Sequence, residues 1–228
     1  MSLEIANLDV SIDGIGILRG VNLTIPTGEM AGLIGHNGAG KTTLIRAMMG
    51  LLPADRGSIS FKGRDITRQP AYKRADMRIS YMPEDRRLIP ELTVTENMLM
   101  PAWANNIHDG EQRLKWVYEL MPEIADFGQR KALQLSGGQQ KLVALGRALI
   151  PGREMILLDE PFEGVAPVLA KRLSSVIADL RGEGLTVLIA ESDDSHSADL
   201  VDSTWRIERG EVSQGRRDSS ESSGLTDY

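Results

Sequence analysis

The chain has 228 residues, a formal charge of −6, three histidines and no cysteine, and its length accommodates a buried core with an attached subdomain. Without thiols there are no disulfides or cysteine metal sites, the acidic balance argues against a nucleic-acid partner, and the scattered histidines lack metal-ligand spacing. No apolar run approaches the roughly 20 residues that span a bilayer and the first residues do not form a signal peptide, so the expectation is a cytoplasmic protein that meets a membrane only through partners.

In chain order, strand-like segments occupy residues 3–12 and 21–25, and the apolar run 30–34 leads into Gly35, His36, Asn37, Gly38, Ala39, Gly40, Lys41 and Thr42. These eight residues spell G-x-x-x-x-G-K-[ST], and Thr43 opens the helical spacing that follows. Further strands are expected at 58–61 and 78–82. Between about 93 and 129 the apolar residues Val94, Met98, Leu99, Leu114, Val117 and Leu120 recur at helical spacing, which predicts a helical insert. A helix at 138–150, an all-apolar strand at 155–158, a helix at 168–181 and a strand at 185–190 then return to alternation. Continuous apolar strands flanked by helices indicate a largely parallel sheet covered on both faces. Residues 213–228 are polar and are expected to form a disordered tail.

The strand-loop-helix context gives the first motif its chemistry. Its glycines let backbone N–H groups turn inward around a phosphate chain, while Lys41 reaches the β/γ-phosphates and the Thr42 hydroxyl holds Mg²⁺. A nucleoside triphosphate is the expected ligand. The strand at 155–158 delivers Asp159 and Glu160 at its carboxyl end, where open α/β sheets bind ligands. Asp159 is assigned to Mg²⁺, and Glu160 to polarising the water that attacks the γ-phosphate. Leu135-Ser136-Gly137-Gly138-Gln139 opens a helix whose N-terminal dipole and free donors suit a γ-phosphate; taken alone, it is an ordinary helix cap.

Together these motifs resemble the ATP-binding-cassette (ABC) ATPases over residues 1 to about 212, with a helical subdomain at about 85–150. The resemblance implies an α/β phosphate-loop NTPase sheet with helices on both faces, an N-terminal antiparallel β portion and an inserted α-helical subdomain. Ser136, Gly137, Gly138 and Gln139 then form the family's signature, which meets ATP across a head-to-tail dimer. Three segments look like the ATPase subunits of bacterial importers for branched-chain amino acids and their relatives for urea or short amides. They are residues 81–87, 90–97 and 159–167, the last reading Asp159-Glu160-Pro161-Phe162-Glu163-Gly164-Val165-Ala166-Pro167. Glu84 stands where most of the family has glutamine and is expected near Mg²⁺ and the γ-phosphate; the alternative is a surface turn residue.

The implied cofactors are ATP and Mg²⁺. The implied partners are a second ATPase subunit, identical or different, membrane permease subunits and, indirectly, an extracytoplasmic solute-binding protein. Their membrane would hold this chain at its cytoplasmic face. Two positions depart from the family. Counting back from Gly35 puts Ile12 where an aromatic residue usually stacks on adenine. Ser192 replaces the usual histidine that contacts the γ-phosphate, with His196 one helical turn later as the other imidazole. Two further readings stay open: a low-turnover ATP-binding switch in an asymmetric complex, and the ATPase of an exporter.

Overall fold

Leu3, Ile5, Leu8 and Val10 are buried along the first strand, β1 (Leu3–Ile12). The three-residue step from Ile5 to Leu8 breaks strict alternation, and the register shift there, with Asn7 at φ +49°, returns the apolar residues to one face. Asp13 (φ +51°) and Gly14 (φ +79°) turn the chain into β2 (Ile15–Ile25), longer than the sequence indicates. The computed structural model describes residues 2–215.

Two sheets organise the protein. β2, β1, β4 (Arg56–Phe61) and β5 (Arg64–Asp65) form an antiparallel sheet in that order. The second has the order β10-β9-β3-β8-β7-β6, with β3 (Met30–Ile34), β6 (Ile79–Met82), β7 (Met155–Asp159), β8 (Thr186–Glu191) and β9 (Ser203–Glu208) parallel. β10 (Glu211–Gln214) pairs antiparallel at its edge.

Every residue of β7 is buried, and successive residues enter different cores. Ile156 and Leu158 pack with the helices of the insert, whereas Met155 and Leu157 pack with the N-terminal sheet and α1 (Lys41–Met48). β8 divides in the same way, Val187 and Ile189 against Leu188 and Ala190. A strand covered on both faces thus reads as continuously apolar.

After α2 (Ala71–Asp76) and β6, the insert contains α3 (Val94–Ala104), α4 (Gly110–Leu120) and the short α5 (Pro122–Ala125), packed on α6 (Gly137–Leu149). Thr93 and Glu96 close a reciprocal capping box on α3. The fully buried Asn97 accepts from the Ile89 N–H and donates to the carbonyls of Ile89 and Thr93, fixing the chain that enters the insert. α7 (Pro167–Asp179) joins β7 to β8.

The tail boundary needs correction. Ser213 and Gln214 complete β10, opposite Arg206 and Trp205, because this edge pairing satisfies their backbone groups. Residues 216–228 of the expected tail lie outside the described residues.

Arg74, 1% exposed, fastens the phosphate-loop helix from behind. Its guanidinium donates to the Ala47 and Met48 carbonyls at the end of α1 and to those of Thr67 and Gln69. A cation suits a helix C-terminus, and its removal strands buried acceptors. Arg74→Ala is expected to lower the unfolding free energy by about 3 kcal/mol in urea titrations; a parental midpoint and slope would refute this role.

Candidate functional site

β3 ends against the loop that carries Gly35 to Gly40. Gly38 (φ +82°) and Gly40 (φ +114°) adopt left-handed backbone that side chains disfavour. Gly35 is required by crowding: a Cβ there would lie 2.3 Å from the Ile207 carbonyl oxygen. The β9–β10 turn supports the loop from outside, the Gly210 N–H donating to the Ala39 carbonyl at 2.9 Å. No side chain caps α1, whose N-terminus therefore presents backbone donors, as an anion site requires.

Lys41 is the first side chain of α1 and is 5% exposed. Its ammonium donates to the carbonyls of Gly35 (2.5 Å) and His36 (3.3 Å) and lies 2.9 Å from Glu160 Oε1. Thr42 Oγ1 donates to Asp159 Oδ1 at 3.2 Å, and the Tyr81 hydroxyl donates to Asp159 Oδ2 at 3.1 Å. Burial pushes the Asp159 carboxyl above its ordinary value, and these two hydrogen bonds oppose the shift. Gly38, Gly40, Lys41, Thr42, Thr43, Glu84 and Glu160 line a shared cleft of about 520 Å³. The structure therefore brings the phosphate loop and the two carboxylates, 117 residues apart at Thr42 and Asp159, to one place.

Glu160 has φ +49°, outside the comfortable range for a side-chain-bearing residue. Its N–H donates to the Ala190 carbonyl at 2.9 Å. Ser192 Oγ lies 2.9 Å from Glu160 Oε1 and 2.8 Å from Asn37 Oδ1, and its single proton serves one of them at a time. His196 instead packs tilted against Phe162, the ring centroids 5.5 Å apart.

Glu84 reaches the mouth of the cleft. Partial burial raises its pKa, followed by the hydrogen bond and charge of Glu163. Among the described residues, no three His, Cys, Asp or Glu side chains converge as a metal cage. The Thr42–Asp159 pair offers hard oxygen donors that suit Mg²⁺, an ion that keeps waters and takes its remaining ligands from a bound phosphate. The residues fit that cofactor on these terms.

The signature residues and Ile12 stand apart from the lining of this cleft. Ser136 and Gln139 cap α6 reciprocally, with Gln139 N–H donating to Ser136 Oγ at 3.3 Å and Ser136 N–H to Gln139 Oε1 at 3.0 Å. Neither they nor Gly137 and Gly138 line the cleft of their own chain. Ile12 sits beside the hairpin turn, paired with Ile15, and it is Ile17 that lines the cleft.

Three residues of the site escape the sequence reading. Tyr81 steadies Asp159. The buried Lys141 donates to the Glu160 carbonyl at 2.5 Å. Glu191 closes β8 as Asp159 closes β7, and its Oε1 accepts from the Phe162 N–H at 3.0 Å. Burial, reinforced by Glu160, pushes its pKa up to about 8. A charge ending an apolar strand is the signal that marks Glu191; Lys141 has none.

Residues 18–163 match the ABC transporter family model. The chain is 34% identical over 198 residues to the high-affinity branched-chain amino acid transport ATP-binding protein BraG of Pseudomonas aeruginosa, covering 87% of this chain and 85% of that protein. It is 33% identical over 213 residues to the lipopolysaccharide export system ATP-binding protein LptB of Escherichia coli, covering 92% and 88%. The ADP conformation of the ATP-binding cassette MJ1267 aligns with a TM-score of 0.82 at 29% identity, over 94% of this chain and 91% of that one. By these matches and the architecture of its nucleotide loop, the chain belongs to the ABC transporter family, as an ATP-binding subunit.

Proposed function

We propose that this subunit hydrolyses ATP in the Lys41–Glu160 cleft to power a membrane transporter, and that its transporter imports branched-chain amino acids or related small polar solutes. One observation carries the catalytic reading: Lys41 and Thr42 of the phosphate loop contact Glu160 and Asp159, the carboxylate that ends β7 and the one that follows it. Import is favoured by the Glu84-Asp85-Arg86-Arg87 segment and by the likeness to BraG. The comparable likeness to LptB favours export as the second reading.

A triphosphate entering the loop receives the backbone donors at the start of α1 and competes with Glu160 for the Lys41 ammonium. Glu160 then accepts a proton from the water attacking the γ-phosphorus, and the bond to the ADP oxygen breaks in line. Ser192 aligns the Glu160 carboxyl. Mg²⁺, held beside Thr42 and Asp159 with Glu84 at the mouth, would neutralise phosphate charge. Ser136, Gly137 and Gly138 serve the γ-phosphate of a second subunit in a head-to-tail dimer, which accounts for their position off their own cleft. Permease subunits hold that dimer at the cytoplasmic face of the membrane, with a solute-binding protein acting from the far side.

Glu160→Gln is expected to keep ATP affinity while lowering steady-state hydrolysis by about 10²- to 10⁴-fold, and to accumulate an ATP-bound dimer on gel filtration. Hydrolysis at the parental rate would place the base elsewhere.

Ser192→His tests the main departure from the family. An imidazole that gains a γ-phosphate contact in the transition state should raise kcat about tenfold and change ATP affinity less. An unchanged kcat, with His196→Ala also at the parental rate, would remove both residues from the rate-limiting chemistry.

A further inference from the structure

Lys141 is a lysine 1% exposed to solvent, on the helix opened by Ser136, and no step above uses it. Its ammonium donates to the main-chain carbonyls of Glu160 (2.5 Å) and Glu163 (3.4 Å), the two ends of one tight turn. Burial, then the charge of Arg86, holds it below the usual lysine value, while Glu191, Glu163 and Glu84 pull the other way. A lysine is costly to bury, and here its donors go to backbone rather than to a carboxylate.

The turn it holds is strained. Glu160 keeps φ +49°, and its N–H is fixed to Ala190 while its carbonyl takes the Lys141 ammonium. Rotation of either flanking peptide toward right-handed backbone swings the carboxylate away from Lys41 and Ser192, so these two anchors define where Oε1 sits. We propose that Lys141 is a positioning residue: it holds the Glu160 turn in its reactive conformation from α6, so that engagement of Ser136–Gly138 by the opposite nucleotide is relayed to this subunit's own Glu160.

The relay is short and stiff. Lys141 lies about 7.5 Å along the helix from the Ser136 cap, and a helix transmits a displacement of that length as a rigid body. A parallel tie joins the same helix end to the segment after Glu84, where Arg86 donates to Gln140 Oε1 at 3.2 Å. The inference rests on the roles given above to Glu160 and to the signature.

The test compares full-length Lys141→Met, Lys141→Gln and Lys141→Arg, each also combined with Glu160→Gln. In the Met and Gln variants ATP affinity should stay within about twofold of the parent while kcat falls about 10- to 10²-fold, the cost of misplacing a catalytic group by about 1 Å. Lys141→Arg, which keeps the donors, should recover most of the rate. In the Glu160→Gln background the same changes should cost less than about twofold more, because no reactive carboxylate remains to be aimed. Should Lys141→Met fail to fold, Lys141→Gln is read by the same criteria. A parental kcat in the folded variants, or an equal loss in both backgrounds, overturns the inference. Glu160→Gln at the parental rate rejects the base assignment itself, a separate outcome from a crippled Glu160→Gln beside an unimpaired Lys141→Met.

Discussion

Glu160 is gripped by a buried lysine at each end, Lys41 on its carboxylate and Lys141 on its carbonyl. Each buried ion loses several kcal/mol of hydration, and only close partners offset that loss. The surroundings remain acid-rich. Burial is the first cause that raises Glu84, Asp159 and Glu191, and neighbouring carboxylates, Glu160 among them, add to it. A triphosphate adds more negative charge to this cluster, so tight binding requires positive charge to arrive with it. A divalent cation held by the oxygen donors of Thr42 and Asp159, as proposed, would answer that requirement.

The legible parts of the sequence are those in which local backbone geometry fixes residue type. Gly38 and Gly40 take φ values that only glycine adopts freely, so the phosphate loop announces itself. β7 and β8 are legible as well, because a strand packed into two cores has no polar face to confuse it with a surface helix. β9 and β10 are harder to read. The strand Ser203–Glu208 buries little besides Ile207, and β10 is a four-residue edge, so neither has the apolar density of a core strand. Yet their turn braces the loop through Gly210. The six-residue α2 has no side-chain cap to mark its start, although Arg74 within it anchors α1. Lys141 was illegible for a different reason: its partners are main-chain carbonyls, which leave no trace in residue type.

Ser192 changes the electrostatics of the site more than its packing. Its hydroxyl links Asn37 of the phosphate loop to Glu160, so the residue is built into the path between the loop and the proposed base. A histidine in that place can carry positive charge; a hydroxyl cannot, and it has one proton for two acceptors. In the proposed mechanism Lys41 is therefore the side-chain cation that must both receive the phosphates and hold the Glu160 carboxylate. These demands compete, since an ammonium drawn toward phosphate loosens its hold on Oε1. If Lys141 positions the turn as proposed, its hold on the other end keeps the Glu160 backbone in place while the carboxylate is released toward water. In the proposed mechanism, the fixed carbonyl and the exchangeable carboxylate together let one residue lie in a buried ion pair and still act as a base.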